Sequence, residues 1–326
     1  MTPYSMNRHP FSPDIKNSIQ TLCRYDNRSG FAATLLNHFC IALAVAAAEH
    51  SVWLLPLSLL IIGSRQRALA TLLHEAAHGT LCRNKILNRV LGTWFSGYLI
   101  GQSWGAYRRS HVLSHHARLG DLDRDPDYRF YVEAGVYDAK ERRRFLWQHV
   151  VRPMLFLNAF SSAVYLIRER LLGAATQREF LAMVGALLVF ACVGTWWCGP
   201  KFFFLYWLLP YLTTFQMLTW FIELSEHYPM VRHARTDIEA TRNRFSHPVE
   251  QLFTGMHAEN FHLVHHLFPG LPFRHMAQAH RILLKDETYA RLNAASGGIF
   301  LSSNFAPSLI SRIMPPSNAC KARPAT

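Results

Sequence analysis

Apolar residues gather into four long runs, and the short polar breaks between them pair the runs two by two. The first run is Ala32 to Ala48, and a second begins near Val52 after the link Glu49–Ser51. A third, Phe180 to Cys198, and a fourth, Phe202 to Ile222, are joined only by Gly199, Pro200 and Lys201. The last two approach the roughly 20 apolar residues that cross a bilayer. The second stops short at Arg65, so we read it as the outer part of one helix that continues through Arg65 and Arg67 into the cytoplasm. This pattern predicts an all-α integral membrane protein. Four transmembrane helices form two tight hairpins, and the polar stretches form a helical cap on the cytoplasmic side. Phe145 to Ile167 is apolar but broken by His149, Arg152 and Pro153, which predicts an interfacial helix rather than a span.

Composition sharpens the picture. Half of the 326 residues are apolar and 17% are charged, yet the formal net charge is +13. In a soluble protein that charge would suggest nucleic acid; here it fits Lys and Arg held on the cytoplasmic side, against anionic lipid. The two hairpin tips carry one Lys and no Arg between them. Both termini and the central polar segment are therefore expected in the cytoplasm. The first 30 residues contain no apolar core of the signal-peptide kind. Six scattered Cys with no CxxC pair suggest neither a disulfide framework nor a cysteine zinc site.

The chemistry lies in the histidines. Of 18, eight stand in three tight clusters: His74 and His78 in HEAAH, His111, His115 and His116 in HVLSHH, and His262, His265 and His266 in HLVHH. His227 stands alone in ELSEH at the cytoplasmic end of the fourth run. Residues four apart on a helix share a face, with Cβ atoms about 5–6 Å apart, so His74 and His78 can point at one metal. An HxxxHH or HxxHH triplet can serve two neighbouring metals at once. Imidazole suits iron, zinc and copper alike, so the ligand type does not name the ion. The other nine, His9, His38, His50, His149, His233, His247, His257, His275 and His280, are read as ordinary core or surface residues. HEAAH also matches the HExxH zinc-protease motif, with Glu75 as general base. A zinc protease needs only one further protein ligand, which leaves most of the other two clusters unexplained.

With these boxes in place, the chain from about Ala32 to His280 resembles the membrane fatty acid desaturase superfamily. Smaller segments agree: WGAYRRSH before the second box, DRDPD after it, and NFHLVHHLFPGLP around the third. The DPD-containing region is similar to a bacterial subgroup that includes dihydrorhizobitoxine desaturase, which implies a bacterial inner membrane. The resemblance divides the chain into a cytoplasmic segment 1–31, a membrane desaturase domain 32–285 and a cytoplasmic tail 286–326.

It further implies two Fe²⁺ ions held by His74, His78, His111, His115, His116, His262, His265 and His266, with His227 as the ninth ligand. Glu223 stands where acyl-CoA desaturases carry an Asn that contacts a metal through water, and Glu226 is a candidate to orient a ligand histidine. The implied reaction is O₂-dependent introduction of a double bond into an alkyl chain of a fatty acyl or small amphiphilic substrate; a hydroxylase or ketolase of the same superfamily is the alternative. With few carboxylates among the ligands, the site is expected to be cationic. Arg108 and Arg109 are candidates for a substrate headgroup. Asp121, Asp123 and Asp125 alternate like a calcium loop, but Pro126 and Val132 occupy its obligatory Gly and Glu positions. A solvated loop that hydrogen-bonds ligand histidines is expected instead. No haem-binding extension, GxGxxG loop or Cys cluster is seen, so a separate ferredoxin or cytochrome b5 type donor is expected to dock on the basic face.

Overall fold

In a computed structural model of the protein, residues 6–138, 141–174 and 176–313 are described. Residues 314–326 of the carboxy-terminal tail lie outside them. Helix is the regular structure of the described residues, which hold two isolated β-bridges and no strands. Four helices of 14 residues or more form the frame: α1 (Arg28–His50), α2 (Leu55–His78), α3 (Gln177–Cys198) and α4 (Thr214–His227).

Helix α2 is the axle. It packs against α1 on one side and α4 on another. It runs unbroken for 24 residues through Arg65 and Arg67, as the apolar pattern predicted, and Gly79 ends it with φ of 78° directly after His78. At about 1.5 Å rise per residue, Leu55 and His74 lie roughly 29 Å apart along the axis. Close approach to α4 depends on Gly63, where a Cβ would fall 2.1 Å from Thr214 Oγ1 and 2.7 Å from Phe215 N. Small residues at helix crossings are the usual device for close packing in a membrane. Thr214 Oγ1 also donates to the Leu59 carbonyl (2.8 Å).

Two helices, α1 and α3, are long and apolar enough to cross a membrane; the bent pair Arg142–Met154 and Ala159–Leu171 would make a third if it is one span. The expected fourth span is broken. Phe202–Leu208 is a π-helix, Leu209–Leu212 a single turn, and α4 starts after Thr213, whose φ and ψ are −124° and −88°. Pro210 accounts for part of this, since it has no N–H to continue the ladder. The expected interfacial helix at Phe145 to Ile167 is also two pieces, meeting at 73°.

The outer faces of α1 and α3 are apolar and uncovered: Phe31, Leu35, Phe39 and Leu43 on one, Leu181, Leu188, Val189 and Val193 on the other. Trp53 (89% exposed) and Trp196 (87%) stand at the two tips, where indole rings belong at a membrane–water interface. Such large exposed apolar surfaces mark contact with lipid or another protein. The tips are tied to each other: Glu49 at the end of α1 accepts from Lys201 Nζ (2.6 Å) and from the Tyr206 hydroxyl. Both tips therefore lie at one end of the molecule, and the histidine boxes at the other.

That far end is a cap of short helices. Phe11, Ile15 and Ile19 pack against Leu263, Met276, Leu283 and Tyr289 in one apolar cluster, so the amino-terminal segment and residues beyond 286 share a core. The five described cysteines are free.

Candidate metal centre

The first box sits on the last turns of α2, with the His74 and His78 rings 4.7 Å apart. The second lies in a π-helix, Arg108–His115. Its i→i+5 bonding widens the turn, so residues i+4 and i+5 straddle the face of residue i. His111 consequently stacks on His115 (5.0 Å between centroids) while its Nε2 lies 3.2 Å from that of His116. The third box forms the short helix His262–Leu267. Its free N–H groups are taken by Asn243 Oδ1, which accepts from Leu263 (3.0 Å) and Val264 (3.3 Å). His227 closes α4.

All nine histidines meet in one place. His74, His78, His111, His116 and His265 each present a nitrogen within 4.8 Å of the others, and His115, His227 and His266 do the same beside them. His262 joins the second group, its Nε2 3.0 Å from both His227 Nε2 and His266 Nε2. His265 and His116 touch at 3.0 Å between the boxes. Two nitrogens at right angles on an ion, each at about 2.1 Å, stand about 3.0 Å apart, so this spacing suits shared coordination. His78 Nε2 is buried without a hydrogen-bond partner, an orphan that an ion would satisfy. Burial, and then repulsion among the neighbouring imidazoles, pushes His111, His116, His262, His265 and His266 well below the ordinary histidine range. They are neutral and have lone pairs to give.

Carboxylates form the next layer, which the sequence reading placed only in part. Asp125 is fully buried and sets both oxygens 3.0 Å from His115 Nδ1. It also accepts from Gly120 N and Tyr128 N, capping the helix Pro126–Glu133. Burial opposes a charge on His115, but Asp125 outweighs it and the ring is pushed up to about 9: the protein favours a cation here. Asp127 faces His111 Nδ1 at 3.4 Å and is held by Tyr165 (2.5 Å) and Arg170 (2.9 Å). Glu75 lies 3.5 Å from His74 Nδ1, and Glu226 3.5 Å from His262 Nδ1. Four carboxylates thus stand behind the rings, where they favour one ring nitrogen facing inward; Asp127 and Glu226 are also paired with Arg170 and Arg244. The carboxylates stand one layer out, against the outer nitrogens of the histidines.

Other expectations change as well. The DRDPD loop is solvated at Asp123 and buried at Asp125. Glu226, the candidate to orient a ligand histidine, faces His262 and is itself paired with the buried Arg244 (3.1 Å). Glu223 points to Arg67 Nη1 (3.3 Å). Arg108 and Arg109 are exposed: Arg108 lies over Trp104, and Arg109 donates to the Gly173 carbonyl (2.5 Å). The arginines that line the cavity above the histidines are Arg67 and Arg170. Glu75 accepts from Thr80 Oγ1 (2.7 Å) and Phe273 N (3.2 Å), so it is not free to activate water as a protease base. None of the nine histidines read as ordinary joins a metal-binding group among the described residues. His257 does line the cavity, held by Asn37 (2.8 Å). The cavity positions of Arg67, Glu259 and Arg170 were not foreseen, because single charges in apolar or mixed stretches carry no periodic signal. A charge on the buried face of a long apolar helix, as at Arg67, was the available cue.

Comparison with known proteins agrees with this geometry. Residues 51–295 match the fatty acid desaturase family model. The chain is 35% identical over 316 residues to dihydrorhizobitoxine desaturase of Bradyrhizobium elkanii, covering 93% of this chain and 89% of that protein. It is 25% identical to Delta(5) fatty acid desaturase fat-4 of Caenorhabditis elegans, over 73% of this chain and 58% of the relative. It is 24% identical to Delta 8-(E)-sphingolipid desaturase of Komagataella phaffii, over 66% of this chain and 46% of the relative. With an all-helical frame, uncovered apolar helices and histidines gathered at one end, the chain belongs to the fatty acid desaturase family and is a membrane oxidoreductase.

Proposed function

We propose that the protein is an O₂-dependent di-iron desaturase that places a double bond in an alkyl segment of an amphiphilic substrate. The observation that carries this is the meeting of nine histidines from four separate segments in two adjoining groups. Five and four nitrogen ligands with no oxygen among them would be unusual for magnesium or calcium, and no thiolate is among them, so iron or a similar ion fits the donors. The first ion is assigned to His74, His78, His111, His116 and His265, and the second to His115, His227, His262 and His266. When bound, the pair supplies the O₂ and redox chemistry that side chains cannot. The chain's part is to hold the ligands: Asp125, Asp127, Glu75 and Glu226 fix ring orientation. It also keeps the alkyl carbon beside the ions and excludes water behind Phe215, Leu166 and Phe273, which line the cavity.

The reading includes four spans in two hairpins, with the tips at Glu49–Trp53 and Trp196–Lys201 outside and the centre cytoplasmic, in a bacterial inner membrane. Electrons come from a separate ferredoxin or cytochrome b5 type protein. The relatives are named for dihydrorhizobitoxine, a fatty acid and a sphingolipid, so their names alone do not choose the headgroup.

Three measurements test this. The purified chain should hold two irons; zinc in active protein would overturn the assignment. Mass spectrometry of lipids and small metabolites, with and without expression, should show loss of two hydrogens. Gain of one oxygen would mark a hydroxylase instead. Turnover should need an added donor protein.

A further inference from the structure

The bent helix pair Arg142–Met154 and Ala159–Leu171 leaves the metal end of the molecule and comes back to it. At its start the Phe145 ring stacks on Tyr228 (5.1 Å between centroids), the residue after His227. At its finish Arg170 Nη2 donates to Asp127 Oδ1 (2.9 Å), and Asp127 faces His111. Between these feet the first limb climbs α4. Trp220, about two turns before His227, donates its indole N–H to the His149 carbonyl (3.0 Å). The second limb starts against Leu209–Leu212, just before α4 begins, and descends to Tyr165, whose ring stacks on Phe130 (4.4 Å). Each limb is roughly 20 Å long at about 1.5 Å per residue, short of the roughly 30 Å hydrocarbon core. The limbs meet at 73°, with Phe156 at a φ of 59° in the bend. A crossing would deliver the two feet to opposite faces of the bilayer. These feet share one face.

We propose that this pair is a re-entrant hairpin. It dips into the cytoplasmic leaflet with its outer side against acyl chains and its feet among anionic headgroups, and it returns without crossing. This rests on the cytoplasmic placement of the centre proposed above. The outer side is apolar and bare: Trp147, Leu155, Leu157, Phe160 and Val164 are exposed, Phe160 at 82%. The inner side is packed, with Phe145 and Val150 in one buried cluster with Trp220 and Phe221. Exposed arginines stand at both feet, Arg143 and Arg144 at the first and Arg178 just past the second, where anionic lipid attracts them. The bare side also leads directly into α3, which begins at Gln177 and has an uncovered apolar face of its own. Arg152, exposed near the bend, bounds the depth: its stem carries the charge back toward the headgroups, and a charge at the bilayer centre is costly. Leu166 and Arg170, on the second limb, line the cavity. The hairpin is therefore the partition between that leaflet and the histidines.

The test uses the full chain on a cysteine-free background, with single cysteines at exposed positions. Phe160→Cys, labelled with bimane in nanodiscs, should lose at least half of its fluorescence to lipids that carry a nitroxide on the acyl chain, and almost none to aqueous iodide. Quenching by iodide alone would place the bend in water and overturn the inference. Quenching by neither would mean that protein covers it, which overturns the inference too. In intact spheroplasts, Arg143→Cys and Gln177→Cys should react with a membrane-impermeant maleimide only after lysis, as should Arg124→Cys beside the centre. One foot reacting before lysis and the other only after makes the pair a true span and overturns the hairpin. All three reacting before lysis would refute the cytoplasmic placement of the centre, yet would still support a re-entrant hairpin, so the two failures are distinguishable.

Discussion

At the scale of single residues, the imidazoles depend on what stands behind them. Asp125 touches the ring of His115 with both oxygens and caps the next helix. Asp125→Asn keeps the cap acceptor but loses the charge and one of the two acceptors. Partners of this kind are worth about 10–100-fold in metal affinity or activity. Iron retention against a graded chelator, read by elemental analysis, should fall by about that factor. His265→Ala should empty at least one site while leaving the helical circular dichroism unchanged, because its ring contacts only other cluster members at its inner nitrogen. The histidines themselves were legible from spacing. Their supporting acids were legible only in part: DRDPD supplied Asp125 and Asp127, and Glu226 stood as a candidate, but which ring each one meets is set by tertiary contact, and Glu75 read only as a protease-type base.

Among the elements, the boundaries of α1, α2 and α3 followed from the apolar runs because each is a continuous helix with one composition. The interrupted segments did not, because backbone irregularity here is set by tertiary contact. Thr213 breaks the ladder where Gly63 lets α2 press against Thr214 and Phe215. The π-helix of the second box was likewise invisible, since an HxxxHH pattern is compatible with an ordinary α-helix. Gly63→Ala forces a methyl into that crossing. Overpacking of this kind costs about 1–3 kcal/mol, and α4 carries Glu223, Glu226 and His227. We expect a lower melting temperature in nanodiscs together with reduced iron content.

For the molecule as a whole, the two hairpin tips converge on Glu49 at one end and the histidines on each other at the opposite end. A topology test follows. In a cysteine-free background, His50→Cys should react with a membrane-impermeant maleimide in intact spheroplasts, and Arg124→Cys only after lysis. Labelling of both before lysis would sink the proposed orientation.

The cap joins the two ends of the chain: Phe11, Ile15 and Ile19 rest on Leu283 and Tyr289. The final box lies at His262 to His266, and Asn243, which caps its helix, is itself held by Tyr289 and Asn293. A ribosome that has delivered both hairpins to the bilayer has thus made every ligand but three, and the clasp that seats those three is still unsynthesised. Iron acquisition must therefore wait until nearly the whole polypeptide has emerged, so a nascent chain stalled before Tyr289 would be inserted but metal-poor.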